Sequence, residues 1–213
     1  MVGSPACFKP RVEGETGRFA VSLDRSSLPG PTWPIDLFLR HLASTKPVPG
    51  GGSAAALAGC LGCALGGMVS RILLSRPRLR ARSRPRLLGC LKILERLSRR
   101  LELLIWEDSR AFEQLLKAHR THRGIAIARR RAIQSPVTIC EGSFLALKTL
   151  DGLASLAGPS LCSDLKAGSA LLEGAFEAAC VTAKMNFQGP DRDLKVQAMR
   201  RQLSNLERRM RSR

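Results

Sequence analysis

Apolar residues recur in steps of three and four along most of the chain, and this spacing predicts a succession of amphipathic helices. A short helix is expected between Pro34 and Pro47, and a long one carries Leu87 to Leu115 on a single face. A third helix is kinked or restarted at Pro136, and a fourth opens at Ser163-Asp164. A last helix, from Pro190 to Met210, has apolar positions at heptad-like spacing.

The segment from Pro47 to Ser70 differs from these helices because it is apolar on every side and carries no charge. Two prolines and three glycines precede Ser53, which stands where a helix N-cap is expected. Bulky and small residues then form separate stripes, so both faces should be covered and the helix should lie at the centre of a bundle. The exposed N–H groups at such a helix start suit an anion or the polar edge of a heterocycle. A plain loop before a well-capped helix is the alternative.

The length of 213 residues is sufficient for one sizeable core. Residues 1–32 are rich in Gly, Pro, Ser and charge without a helical period, so we expect an irregular N-terminal tail. The helical patterns fill residues 33–213, which we expect to form one domain. A hydrophobic content of 44% excludes disorder of the whole chain.

The chain is strongly basic, with 35 Lys and Arg against 17 Asp and Glu and a net charge of +18. Most of the excess is arginine, concentrated at 76–86, 129–131 and 200–213. This charge makes nucleic acid a candidate partner. A general arginine bias of the proteome would give the same count, and a solvated basic surface is the simplest interpretation.

Seven cysteines, an odd number within predicted helices, do not suggest a disulfide framework and favour a cytoplasmic location. Cys60 and Cys63 form a C-x-x-C without a second ligand pair, so we expect small core residues and no metal site. The uncharged run from Pro47 to Ser70 raises the possibility of a membrane span. Its seven glycines and two prolines, without an aromatic belt, argue against one.

Two aspartates are candidates for chemistry. Asp108 falls on the apolar face of the long helix, where an ionised carboxylate is costly unless it has a partner or a function. Asp164 heads the apolar face of a later helix, where stabilisation of the helix dipole is an equally simple explanation. Asn186 lies on the same near-apolar stripe as Asp164.

These landmarks together resemble the cyclodeaminase/cyclohydrolase family, which includes the C-terminal domain of formimidoyltransferase-cyclodeaminase and stand-alone methenyltetrahydrofolate cyclohydrolases. The match runs from about Ile35 to Asp193. Its most specific part is Pro47-Val48-Pro49-Gly50-Gly51-Gly52-Ser53, followed by an alanine-rich helix. The segment Asp108-Ser109-Arg110-Ala111-Phe112, Ser135-Pro136, Ser163-Asp164 and Asn186 follow in the family's order.

The resemblance implies an all-α helical bundle that forms a homodimer or higher oligomer and binds a tetrahydrofolate one-carbon derivative. The reaction implied is cyclodeamination of 5-formimidoyltetrahydrofolate or hydrolysis of the 5,10-methenyl compound, with no cofactor besides the folate substrate. Asp108 would be the general acid/base and Asp164 its orienting or electrostatic partner. The substrate-binding residues implied are Pro49, Gly50, Gly51, Gly52, Ser53, Ser163, Lys184 and Asn186.

The chain departs from the family at Gly158-Pro159-Ser160, where relatives carry an asparagine, and at Thr182-Ala183. An arginine loop also replaces a short lysine-bearing segment. A second hypothesis therefore stands beside the enzyme: a family member that has lost catalysis and serves as a basic helical dimer binding nucleic acid or protein. Arg71, Arg76 and Lys184 are candidates for a cationic rim that attracts the glutamate tail of a folate.

Overall fold

The computed structural model describes residues 33–77, 79–186 and 194–211, and these residues form six α-helices and a short 3-10 turn. The predicted all-α architecture is confirmed. The helices are α1 (Ile35–Leu42), α2 (Gly51–Ser75), α3 (Arg84–Thr121), α4 (Ile125–Ala154), α5 (Pro159–Asn186) and α6 (Leu194–Arg211), and the 3-10 turn is Ala81–Ser83.

Helices α2 to α5 form an up-down-up-down bundle, in which α2 packs on α3 and α5 and lies diagonally across from α4. Contacts along α2 establish the directions of its neighbours. Gly51 lies beside Thr182 and Gly62 beside Gly168, so α5 runs antiparallel to α2. Helix α6 packs on α4 at the outside of the bundle.

Small residues on α2 allow the other helices to approach closely. A Cβ atom at Gly62 would lie 2.8 Å from the backbone oxygen of Gly168, and one at Gly66 would lie 2.6 Å from a methyl carbon of Leu150. Neither position has room for a side chain. The predicted small-residue stripe, Ala55, Gly59, Cys63 and Gly67, is buried, and the close approach also depends on Gly62 and Gly66, which the prediction did not include.

The opposite face of α2 is open. Leu61, Met68 and Ile72 are 47%, 36% and 38% exposed, and they follow one another at helical spacing. The expectation that both faces of this helix are covered is therefore wrong within one chain. An all-apolar sequence indicates that a helix is buried but does not say whether its own chain covers every face.

The observed helix starts differ from two of the predictions. Helix α3 begins at Arg84, with Pro85 in its first turn, so the arginine-rich loop is shorter than expected. Helix α5 begins at Pro159 and not at Ser163-Asp164, so both of these residues lie inside the helix. The predicted start of the last helix at Pro190 lies outside the described residues, and α6 is described from Leu194.

Helix α3 continues for thirteen residues beyond Asp108, and with the start of α4 it forms a hairpin that projects past the N-terminus of α2. A small separate core of Leu115, Ala118, Ala128 and Ala132 holds this hairpin together. The C-terminal end of α5 reaches its base, where Asn186 contacts α4.

The side chain of Asn186 replaces a backbone hydrogen bond that Pro136 removes from α4. Proline has no N–H, so the carbonyl of Ala132, four residues earlier, loses its helical hydrogen bond. The side-chain amide of Asn186 donates to this carbonyl at 3.2 Å. In this structure, Asn186 thus ties the end of α5 to α4.

We expect Asn186→Ala to lower the free energy of unfolding by about 1–2 kcal/mol, because it leaves the Ala132 carbonyl without a partner. In a Pro136→Ala background the restored N–H supplies that partner, so the same substitution should cost only a few tenths of a kcal/mol. Urea denaturation of the four proteins measures this coupling. Equal costs of Asn186→Ala in both backgrounds would contradict the assignment.

The six described cysteines are all free thiols, including Cys140 and Cys180, whose sulfur atoms lie 3.5 Å apart in the core. Burial raises the pKa of Cys60 and of Cys63 to about 12, so neither is a thiolate at neutral pH. The described residues contain no group of three or more His, Cys, Asp or Glu that could hold a metal ion. By length and composition α2 could cross a membrane, and here it packs against three other helices.

Candidate functional site

The carboxyl group of Asp108 lies directly on the backbone at the start of α2. A Cβ atom built on Gly52 would stand between 2.3 and 2.5 Å from the three atoms of this carboxyl group. The backbone N–H of Ser53, in the same helical turn, hydrogen-bonds to the Asp108 carboxylate. Asp108 therefore covers the N-terminal N–H groups of α2 from a neighbouring helix, as an N-cap residue would from within the chain.

Ser53 is fully buried at the centre of this contact. Its hydroxyl donates to the carbonyl oxygen of Ile105 at 2.8 Å and lies 3.0 Å from the hydroxyl of Ser109 and 3.3 Å from Oδ2 of Asp108. The prediction that Ser53 is the N-cap of α2 is wrong, because Gly50 occupies that position. Ser53 instead connects the first turn of α2 to α3 and to Asp108.

The surroundings of Asp108 make its carboxyl group easier to protonate. Burial raises the pKa of Asp108 to about 6, and the hydrogen bonds from Ser53 oppose part of this rise. A carboxyl group that titrates near neutral pH can both donate and accept a proton under working conditions. This property is the one expected of a general acid/base.

Two concavities flank this part of the bundle. One, of about 240 Å³, lies between α1 and the α2–α3 pair and includes Trp33, Phe38, Leu57 and Ile105. The other, of about 390 Å³, runs from Pro47 along the projecting part of α3. Its charged residues are Arg110, Lys117 and Arg120 against Glu113.

The predicted binding residues before Ser53 lie where the sequence places them, around the start of α2. Pro49 is buried, and Gly52 is the glycine whose missing side chain leaves room for the carboxyl group of Asp108. A Cβ atom at Gly51 would lie 3.2 Å from the hydroxyl of Thr182, whereas one at Gly50 would meet nothing closer than 3.8 Å. The three glycines are therefore not equivalent, and Gly52 tolerates a side chain least.

The other end of α5 contributes to the same region. Thr182 reaches Gly51, and Asn186 lies one turn further on. Lys184 is exposed on this turn. Ser109 and Thr182 were not predicted as site residues. Ser109 directly follows Asp108 and is fully buried, but it is not among the apolar-face positions predicted for the long helix, so the helical pattern did not identify it.

Within one folded subunit, Ser163 and Asp164 lie far from Asp108. Asp164 comes one turn before Gly168, which packs on Gly62, ten residues along α2 from Gly52. At 1.5 Å per residue, this places the two aspartates roughly 20 Å apart. The expectation that both face one cavity is not met inside a single chain. Arg71 pairs with Glu95 at 2.7 Å, and Arg76 lies beside Gly158, so both arginines are also at the far end.

Comparison with known proteins identifies the family. The family model described as formiminotransferase-cyclodeaminase matches residues 34–205, and the chain belongs to this family. A methenyltetrahydrofolate cyclohydrolase from Methylorubrum extorquens is 36% identical over 85 residues, which make up 40% of this chain and 40% of that protein. The matched region thus spans two fifths of that relative.

The fold has a solved counterpart. The crystal structure of formiminotetrahydrofolate cyclodeaminase from Thermotoga maritima, at 2.80 Å resolution, superposes with a TM-score of 0.73 and 22% sequence identity. The superposition covers 85% of this chain and 91% of that one. The resemblance drawn from the sequence is confirmed at the level of family and fold. Nothing in these comparisons favours the nucleic-acid-binding alternative.

Proposed function

We propose that the protein is an enzyme that acts on the N5–N10 bridge of a tetrahydrofolate derivative. The reaction is either ring closure of 5-formimidoyltetrahydrofolate with loss of ammonia or hydrolysis of 5,10-methenyltetrahydrofolate to the 10-formyl compound. The observation that carries the proposal is the Asp108 carboxyl group, packed against Gly52 with its pKa raised to about 6, in a chain of this family.

Both reactions pass through a tetrahedral carbon between N5 and N10, and both need a group that moves one proton. In ring closure, N10 attacks the formimidoyl carbon, Asp108 transfers the proton that N10 loses to the formimidoyl nitrogen, and the bond between this nitrogen and the carbon breaks to release ammonia. In hydrolysis, Asp108 takes a proton from the water that attacks the methenyl carbon and gives it to N5; the N5–C bond then breaks, and the remaining hydroxyl proton is released as the formyl C=O forms. A carboxyl group with a pKa near 6 can perform either transfer.

The two concavities on this part of the bundle, one reaching Ile105 and the other Arg110 on either side of Asp108 in α3, suit the two ends of a folate. The apolar one, with Trp33 and Phe38, offers aromatic and aliphatic surface to a flat heterocycle. The groove with Arg110, Lys117 and Arg120 offers positive charge to glutamate carboxylates. Of the predicted binding residues, Gly51, Lys184 and Asn186 are at least partly exposed and would complete this proposed binding surface, whereas Pro49, Gly52 and Ser53 are buried and would support it from beneath.

We also propose that the site is completed in a homodimer. The exposed apolar stripe of α2, Leu61, Met68 and Ile72, is a suitable interface for a second copy. In a two-fold dimer in which the two α2 helices pack antiparallel, the N-terminal end of each α2 faces the opposite end of its partner. The Asp164 that serves one Asp108 would then come from the partner subunit.

A mixing experiment tests this shared site. Asp108→Asn and Asp164→Asn are each expected to be inactive, but subunit exchange between them should restore about a quarter of wild-type activity, because half the dimers are mixed and each has one intact site. Leu61→Arg should give an inactive protein, and light scattering should show that it is a monomer. If the subunits are shown to exchange but the mixture recovers no activity, the assignment of Asp164 to the partner's site is contradicted.

The reaction itself is tested by following methenyltetrahydrofolate absorbance with the purified protein. A hydrolase will consume the added 5,10-methenyl compound, whereas a cyclodeaminase will form it from 5-formimidoyltetrahydrofolate with equimolar release of ammonia. A protein with neither activity, although helical and dimeric, would contradict the proposal.

A further inference from the structure

Ser109 is a buried polar residue at the Asp108 site to which the proposed reaction assigns no role. It is fully buried on α3, and its hydroxyl oxygen lies 3.0 Å from that of Ser53. Among the residues that the structure describes, Ser53 is the sole hydrogen-bond partner of this hydroxyl. Any influence of the Ser109 hydroxyl on Asp108 through hydrogen bonds therefore passes through Ser53.

Ser53 has one hydroxyl proton, and two acceptors compete for it. The carbonyl oxygen of Ile105 lies 2.8 Å from Oγ of Ser53, and Oδ2 of Asp108 lies 3.3 Å from it. The Ile105 carbonyl belongs to α3 and accepts a backbone N–H four residues later, so it keeps a partner when the Ser53 proton turns away. An ionised carboxylate is the stronger acceptor. The direction of the Ser53 proton therefore decides whether ionised Asp108 receives a charge-assisted hydrogen bond.

The burial of both serines determines which of them donates to the other. Both are shielded from solvent, so each hydroxyl proton needs an acceptor within the protein. If Ser53 donated to Ser109, the Ser109 proton would have no acceptor among the described residues, and neither Ile105 nor Asp108 would receive the Ser53 proton. If Ser109 donates to Ser53, both protons have acceptors. The geometry therefore makes Ser109 the donor of this pair.

We propose that Ser109 is a positioning residue that acts on Asp108 through Ser53. Its hydroxyl donates to Oγ of Ser53, so the Ser53 proton points toward Ile105 or Asp108, and the donated bond makes Ser53 a stronger donor. Ser109 thereby stabilises the ionised form of Asp108, which is the form that accepts a proton. The inference rests on the proposed function in that Asp108 is the proton-transferring group, whereas the chain of hydrogen bonds does not depend on the folate reaction.

The pKa of Asp108 responds directly to the hydrogen bond from Ser53. Burial raises this pKa, and the hydrogen bonds from the Ser53 side chain and backbone lower it. Residues 47–70, which include the start of α2, carry no charge. The charged or titratable groups on the other elements around Asp108 are His41, Lys46, Glu107, Arg110, Arg131 and Lys184. These groups are the same in all the serine variants compared below, so their contributions cancel in the differences.

An NMR titration of the Asp108 carboxyl carbon in the unliganded protein tests the proposal without measuring turnover. The Asp108 resonance is identified as the one absent from Asp108→Asn. Ser109→Ala should raise the pKa of Asp108 by about half a unit, because Ser53 is a weaker donor without Ser109. Ser53→Ala should raise it by about one unit, because the direct hydrogen bond is lost. In the Ser53→Ala background, Ser109→Ala should cause no further change.

Two results would overturn the proposal: an unchanged pKa of Asp108 in Ser109→Ala, or the same shift with and without Ser53. Ser109→Cys carries a thiol, which is a weak donor, so it should also raise the pKa and serves if Ser109→Ala does not fold.

Ser143 provides the matched control. It is also fully buried, it lies on α4 beside Gly59, and its hydroxyl has no hydrogen-bond partner among the described residues. Ser143→Ala should therefore leave the pKa of Asp108 unchanged. A shift as large as that in Ser109→Ala would show that the loss of any buried hydroxyl is sufficient, which would also overturn the proposal.

The pH dependence of kcat/KM distinguishes this proposal from the proposed function. If Asp108 moves the proton, the limb of the pH profile near 6 should shift in Ser109→Ala by the same amount as the pKa measured by NMR. A shift in the NMR titration without a matching shift of the limb, or in a protein without folate activity, would support the role of Ser109 and contradict that of Asp108 in turnover.

Discussion

Gly52→Ala is expected to reduce kcat/KM about 100-fold or more while leaving the protein folded. The new Cβ atom would stand 2.3 Å from Oδ1 of Asp108, so the carboxyl group must move by about 1 Å or more, enough to misplace a catalytic group. The displaced atoms belong to the end of a short side chain, which can turn toward solvent. The melting temperature should therefore change by only a few degrees, because alanine also favours the helix.

Gly50→Ala is the matched control, since its Cβ atom would meet nothing closer than 3.8 Å and its backbone is extended. Its kcat/KM should stay within about threefold of the wild type, because no catalytic group moves. Steady-state kinetics and thermal denaturation of both variants make the comparison. Equal effects of the two substitutions would mean that the Asp108 contact with Gly52 has no catalytic role.

Asp108→Asn is expected to lower kcat/KM by about 1,000-fold, because an amide cannot transfer the proton. It should also change how stability depends on pH. Since the pKa of Asp108 is raised in the folded protein to about 6, the native state binds more protons than the unfolded state between about pH 4 and 6. The contribution of this group to stability is thus present below pH 4 and is lost as pH rises through 6.

Asparagine resembles the protonated carboxyl group and does not ionise, so the variant should not lose this contribution. Relative to the wild type, the variant should gain about 3 kcal/mol of unfolding free energy between pH 4 and 7, as expected for a shift of about two pKa units. Urea denaturation across this range measures the difference. A constant difference at all pH values would contradict a raised pKa of Asp108.

The sequence alone locates the elements of this site but not their contacts. The helical period of α3 placed Asp108 on a buried face, and the glycines before α2 indicated close approach of another group. Which group approaches depends on packing: only the bundle shows that the Asp108 carboxyl group rests on Gly52. Ser53 resembled an N-cap by residue type, yet its hydroxyl bonds to α3 because the helix begins two residues earlier.

Other differences have similarly local causes. The helix was expected to open at Ser163-Asp164, although proline is favoured in the first turn of a helix and α5 starts at Pro159. Asn186 was singled out for substrate, whereas its amide fills the gap left by Pro136. A proline inside a helix always leaves a carbonyl without its N–H four residues earlier, so a partner for Ala132 could have been sought from the sequence.

The pH dependence of turnover tests the central claim most directly, which is that Asp108 moves the proton in a folate reaction. With the active folate substrate, kcat/KM of the wild-type protein should show a limb with an apparent pKa near 6. The residual activity of Asp108→Asn should lack this limb. A limb near 6 that persists unchanged in Asp108→Asn, or wild-type activity in that variant, would contradict the account.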